Sequence, residues 1–237
     1  MSQIIKTEGI VFKSLNYSET SLILDIYTKE NGLQSFIVSG VRKAKSKMVN
    51  VYHPMNIIDL VAYNNENGLS RIREAQYHYN YRTLYSDVFK SAIGMFIIDL
   101  SRNAIREKEV NLEVYNLIKD HLTGIDEDVL SIKNTPLDYT VTLAAYLGFQ
   151  IQNNFSDHEP YFDLTTGQFV AESQPLSTML GKDLSEKLHA QISGSTDYQI
   201  TRTERNQLLD HMINYYQFHV EGFKELKSLS VLRTILS

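Results

Sequence analysis

Apolar positions alternate with polar ones along the first eighty residues and then recur at three- and four-residue steps, so the predicted structure changes from strand to helix near residue 80. Segment 4–13 is rich in β-branched residues, and Leu22, Leu24 and Ile26 alternate with Ile23, Asp25 and Tyr27. The turn Glu30-Asn31-Gly32 leads into 33–39, where Phe36 and Val38 share a face. After a basic segment come 55–63, the turn Asn64-Asn65-Glu66-Asn67-Gly68, and 69–79. Five closely spaced strands need closure to protect their edges. A small, partly open five-stranded OB barrel meets that need, and an SH3-like barrel is the structural competitor.

From Ser86 the period is helical. Val88, Phe89, Ala92, Ile93, Phe96, Ile97 and Leu100 form one apolar stripe, with Ser86-Asp87 available to cap it. Val110, Val114, Leu117, Ile118 and Leu122 predict a second helix ending at Gly124, and 137–147 predicts a third, followed by Gly148. The stretch 149–175 breaks the pattern with Asn153-Asn154, Pro160 and Gly167, and 161–164 with 168–170 reads as a small hairpin. Helices resume near Leu176. Thr201 with Glu204 is a capping box for a helix to His219, and 223–236 closes the chain. The fold class is α+β, a barrel domain over 1–80 and an all-α helical bundle over 81–237, interrupted by the insertion at about 149–175.

Composition narrows the chemistry. The 237 residues contain no cysteine, which excludes disulfides, thiolate nucleophiles and cysteine-based metal sites. Residues 1–6 lack a signal-peptide pattern, and the longest apolar runs fall far short of the roughly 18–20 residues of a membrane span. A cytoplasmic protein without membrane contact is expected. The net charge of −5 is unevenly spread: 1–80 carries nine Lys/Arg against seven Asp/Glu, and the remainder fourteen against twenty-one. Screening confines each field to about 10 Å, so a basic front can hold phosphate despite an acidic rear.

Four cations, Arg42, Lys43, Lys45 and Lys47, fall within six residues between the third and fourth strands, separated by Ala44 and Ser46. On a loop beside a barrel groove they would neutralise phosphates and release counterions; a solvated loop is the plainer alternative. Arg71 and Arg73, two apart on the last strand, project from one face, and Lys6 and Lys13 come from the first. These four extend the basic surface or simply pair with Glu8, Glu74 and their neighbours. Tyr77, Tyr79 and Tyr81 stand at the domain junction. Bases stack on exposed aromatics, but packing is the preferred role for tyrosines there.

Catalytic signals are missing. Asp157-His158-Glu159 has diverging side chains and no second cluster, and His211 and His219 lie eight apart on one helix. There is no Gly-x-Gly-x-x-Gly run, P-loop or nucleophile elbow. No enzyme activity, cofactor or metal is expected.

The ordered set Lys6-Thr7-Glu8-Gly9-Ile10-Val11, Tyr17-Ser18-Glu19-Thr20, Ser39-Gly40-Val41-Arg42-Lys43 with Lys45-Ser46, and His53-Pro54 into 57–60 resembles the bacterial RecO family of DNA repair proteins. Leu226-Lys227-Ser228 with Leu232 is similar to that family's closing helix. The resemblance is closest over the first eighty residues. It implies an OB domain followed by a helical domain, and a recombination mediator that anneals strands. Such a mediator binds single- and double-stranded DNA, contacts the C-terminal tail of SSB, and acts with RecR to load RecA at the nucleoid. Arg42, Lys43, Lys45 and Lys47 match the family's basic loop. Many members hold a four-cysteine zinc site after the third helix; here 149–170 lacks the cysteines, so Tyr161, Phe162 and Phe169 would have to hold the hairpin. The alternatives are an RNA-binding OB protein of translation or RNA decay, and a helical enzyme with an accessory barrel.

Overall fold

The computed structural model describes residues 3–42, 48–65, 68–105, 110–171, 178–195 and 199–235. The chain divides into two compact units, 1–130 and 131–237.

The first unit is built on a closed barrel of β1 (Ile4–Asn16), β2 (Leu22–Thr28), β3 (Gly32–Val38), β4 (Ile57–Tyr63) and β5 (Ser70–Tyr77), in the order β1-β2-β3-β5-β4. All neighbours are antiparallel except β3 and β5, which run parallel with Ile37 opposite Arg71. This closure and strand order are those of the OB barrel. β1 is longer than predicted because it serves two partners: its first half pairs with β4 and its second with β2. Gly9 lies where both pairings meet, opposite Thr28 and Ile58. A Cβ there would stand 2.6 Å from Ile26 Cγ2, so only glycine fits.

Alternation fills the barrel. Val11, Leu22, Leu24, Ile26, Phe36, Ile58, Leu60 and Ile72 form its buried interior, each contributing about 1.5–3 kcal/mol by leaving water. A bulge between Val11 and Lys13 adds Phe12 to β1. Phe12 is buried too, stacked on Tyr27 at 5.5 Å, and Tyr27 in turn lies against Tyr115. Between β3 and β4 a 3-10 turn, Met48–Tyr52, contributes Val51 and Tyr52 to the interior.

Two helices belong to this unit. α1 (Val88–Ala104) is capped by the Asp87 carboxylate, which accepts the N–H groups of Phe89 and Lys90 at 2.8 and 3.1 Å. α2 (Leu112–Asp126) passes through Gly124, where the sequence predicted its end. The left-handed residue that terminates it is Asp128, at φ +59°. Asp128 N–H donates to Ile125 O and Val129 N–H to Gly124 O, which satisfies the last carbonyls. Aspartate tolerates this strain because its carboxylate pairs with Lys90 Nζ at 2.7 Å.

The second unit holds α3 (Thr135–Tyr146), a hairpin of β6 (Tyr161–Asp163) and β7 (Gln168–Val170), and then α4 (Lys182–Ile192), α5 (Arg202–His219) and α6 (Lys227–Ile235). Gly148 at φ +89° ends α3 as predicted, and Thr201 and Glu204 form the capping box of α5. The predicted helical restart at Leu176 lies outside the described residues, and α4 begins at Lys182. α6 starts four residues later than the apolar pattern suggested.

Candidate nucleic-acid interface

The rim of the barrel beyond β3 is assembled from two segments. The β1–β2 loop folds back on itself, with Tyr17 and Ser18 N–H groups donating to Ser21 O. Past β3, Gly40 takes a left-handed φ of +80° and carries the chain across that loop. Arg42 N–H then donates to Thr20 O at 3.3 Å, and its guanidinium donates to Ser18 O at 2.6 Å. The root of the basic segment is thereby tied to the β1–β2 loop, one of the loops with which OB folds hold oligonucleotides. Lys43, Lys45 and Lys47 lie outside the described residues.

The other predicted cations separate into two groups. Arg71 is exposed at the start of β5, opposite Ile37 near the end of β3, so topology brings it to the same end of the barrel as Arg42. Arg73 follows at a bulge and spends its guanidinium on Glu74, at 2.8–2.9 Å. Lys6 lines a shallow cleft of about 400 Å³ together with Asp59, Glu74 and Gln76, so carboxylates balance it. Lys13 stands opposite Asp25 in the strand register, and the Asp25 carboxylate holds Arg102 Nη2 at 3.3 Å and the Ser35 hydroxyl at 3.0 Å. Exposed pairs of this kind contribute about 0–1 kcal/mol.

Sequence reasoning missed a second feature of this unit. Asn50, His53, Asn56, Tyr77, Tyr79, Asn80, Tyr81 and Tyr85 line a cleft of about 420 Å³. Its rings meet edge to face: His53 with Tyr85 at 5.2 Å, Tyr85 with Tyr81 at 5.7 Å, and Tyr81 with Tyr79 at 5.1 Å. The hydroxyls are anchored, Tyr81 donating to Met55 O at 2.9 Å and Tyr85 to Asn56 Oδ1 at 2.7 Å. Tyr79 donates to Glu127 Oε1 at 2.8 Å. Burial, reinforced by the neighbouring Tyr85 and Asp126, holds the Tyr81 phenol well above its ordinary pKa, so it remains a neutral donor. The Tyr-x-Tyr-x-Tyr run was the available signal, but the partners come from residues 50–56 and 126–127.

Asp126 anchors the strand-to-helix connection beneath the cleft. The residue is 2% exposed, and its carboxylate accepts N–H groups from Arg82 (3.0 Å), Thr83 (2.8 Å) and Leu84 (2.8 Å), with the Tyr79 hydroxyl at 3.2 Å. Burial pushes its pKa up, yet these donors more than offset burial and leave the pKa below the ordinary aspartate value. The buried Lys90 Nζ completes the cluster, donating to Thr83 Oγ1 at 2.8 Å and Asp126 O at 3.1 Å.

In the second unit, the hairpin is held by contacts rather than thiolates. Phe162 and Phe169 are fully buried, 5.2 Å apart, with Phe155 on Phe169 and Tyr215 on Phe162. The Asn154 carboxamide both donates to Phe169 O and accepts from Phe169 N–H. Asp163 closes the turn through Thr165 and Thr166, and Ser185 Oγ accepts Phe162 N–H at 2.9 Å. Tyr161 is half-buried. With no cysteine in the chain, these residues do not fit a zinc–thiolate site, and the described residues contain no group of three His, Asp or Glu placed to hold a metal ion.

A closed five-stranded barrel with an arginine tied to its β1–β2 loop belongs to the OB class, whose members bind oligonucleotides and oligosaccharides. A family profile described as "Recombination protein O N terminal" matches residues 1–81. The chain is 33% identical to the DNA repair protein RecO of Phocaeicola vulgatus, over 98% of this chain and 99% of that one. It is 32% identical to the RecO proteins of Christiangramia forsetii and Flavobacterium johnsoniae, again over 98% of this chain and 99% of each relative. The chain belongs to the RecO family of DNA repair proteins. Among the described residues no helix is long and apolar enough to cross a membrane.

Proposed function

We propose that this protein is a non-enzymatic recombination mediator that binds single- and double-stranded DNA through the barrel rim and the basic segment 42–47. The observation that carries this reading is the anchoring of Arg42 on the β1–β2 loop, at the root of four cations in six residues. Arg71 lies at the same end of the barrel and is the strongest of the other four predicted contacts. Lys6, Lys13 and Arg73 have carboxylates beside them and contribute less. In this reading phosphate neutralisation supplies affinity without sequence preference, and two screened strands held together anneal by their own base pairing. Family membership supports the further assignments: action with RecR, contact with the C-terminal tail of SSB, indirect help in loading RecA, and a cytoplasmic place at the nucleoid. The barrel domain 1–80 would carry the DNA, and 81–237 the protein contacts.

Binding and annealing of complementary single strands across a salt series test this. If Arg42, Lys43, Lys45 and Lys47 make about four phosphate contacts, changing all four to alanine flattens the log–log salt slope by about 2.8, at roughly 0.7 per contact. An unchanged slope with intact annealing would place the DNA elsewhere. Tighter binding of RNA than of DNA would favour the RNA-binding alternative.

A further inference from the structure

We infer that the cleft between the 48–56 segment and the end of β5 is a base-binding site, which receives an unstacked nucleobase of single-stranded nucleic acid between its tyrosine and histidine rings. The inference rests on the DNA-binding reading above and adds the part of the ligand that phosphate contacts do not touch.

Three observations carry it. The first is the composition of the wall: four tyrosines, one histidine and three asparagines, with no lysine, arginine or carboxylate. Flat rings offer stacking to any base, and the carboxamides of Asn50 and Asn80 offer a donor and an acceptor to its edge. A peptide tail rich in acidic groups would find no cation here. The second is exposure. His53, Tyr77 and Tyr85 are exposed, Tyr77 at 38% and Tyr85 at 42%, so their rings are open to a ligand. Volume fits as well, since about 420 Å³ lies at the small end of ligand pockets.

The third is preorganisation. Tyr81 and Tyr85 are locked by their hydroxyls, and Asn56 is locked by donating to Asn50 O at 2.8 Å and Val51 O at 3.1 Å. Under them Met55 holds a left-handed φ of +79°, a conformation costly for a non-glycine residue. Its carbonyl is the acceptor for Tyr81, and its N–H donates to Val11 O at 2.9 Å. Tyr79, Tyr81 and Tyr85 are therefore held before any ligand arrives, and binding a base orders few side chains. In sequence the cleft follows the basic segment at once, Asn50 standing three residues after Lys47.

The test compares two oligonucleotides of equal length and charge, one of thymidine and one with abasic sugars, titrated against the full-length wild type and against Tyr77→Ala and His53→Ala. The thymidine strand should bind the wild type at least about five-fold more tightly, as loss of one base stack predicts. Either variant should erase that preference while leaving the salt slope unchanged. A strand carrying 2-aminopurine should lose fluorescence quenching in the same variants. Two variants guard against misfolding of either, and the wild-type comparison needs none. Equal binding of both oligonucleotides by the wild type would overturn the base site and leave the phosphate reading standing. Absence of binding to both would defeat the DNA-binding reading, and this inference with it. Tightest binding of an acidic peptide at the same cleft would also overturn it.

Discussion

Replacing Asp126 by asparagine removes one charge and half of the acceptor capacity from the cluster that joins residues 79–84 to the end of α2. The retained oxygen still serves Thr83 and Leu84, whose N–H groups lie 2.8 Å from Oδ1. The new NH₂ group replaces Oδ2, the partner of the Tyr79 hydroxyl at 3.2 Å and one of two oxygens 3.0 Å from Arg82 N–H. Hydrogen bonds to a charged group contribute about 1.5–3 kcal/mol each, and a buried donor left unmatched costs about 1–3 kcal/mol. Tyr79 keeps its shorter bond to Glu127, so loss of the charge, with an NH₂ group now facing Arg82 N–H, predicts a destabilisation of about 1.5–3 kcal/mol. Urea unfolding should show it as a lower midpoint at unchanged slope. The pH dependence supplies a second readout. A carboxylate with a depressed folded pKa stabilises fully above the unfolded value of about 4, and that contribution is lost as pH falls through the lower folded value. Wild type and variant should therefore differ at pH 7, and the difference should shrink as pH falls below the ordinary aspartate range. A variant within about 0.5 kcal/mol of wild type at pH 7 would refute the role given to this cluster.

Phe169→Ala should cost about 3–5 kcal/mol by emptying the hairpin core, measured by thermal or urea unfolding, and the wild type should melt at the same temperature with and without a chelator. Gly9→Ala should destabilise by about 1–3 kcal/mol, because the added Cβ meets the stiff, branched Ile26 side chain at 2.6 Å inside a closed barrel. Gly94→Ala also brings a Cβ to 2.6 Å of an atom, but that atom is the sulfur of the pliable Met55, so the urea midpoint should fall less than for Gly9→Ala.

Much of this protein follows from local pattern. The five strands, the helices at 88, 112, 135 and 202, the Asp87 cap, the Thr201–Glu204 box and the Gly148 terminus are each specified by a few neighbouring residues, and all are present. The family resemblance was legible for the same reason, since its residues lie in short ordered runs over the barrel. The basic segment was legible as charge, with Arg42 alone of its four cations among the described residues. What the tertiary structure decided involves partners distant in sequence. α2 runs past Gly124 because Asp126 is held by N–H groups some forty residues earlier and Asp128 by Lys90. Contacts such as Lys119 Nζ with Glu8 at 2.6 Å and Tyr27 Oη with Asn111 O at 3.2 Å join α2 to the barrel in the compact unit 1–130, whereas the change of period put a domain boundary near 80. Pairing of Arg73 with the adjacent Glu74 was open in sequence, whereas only the register of β1, β4 and β5 brings Asp59 and Glu74 beside Lys6. The tyrosine run reads as packing until residues 50–56 fold across it and open a cleft. Periodicity and caps are short-range physics that a sequence displays directly; the partner of a charge or a ring is settled by strand register and closure, which no local pattern contains.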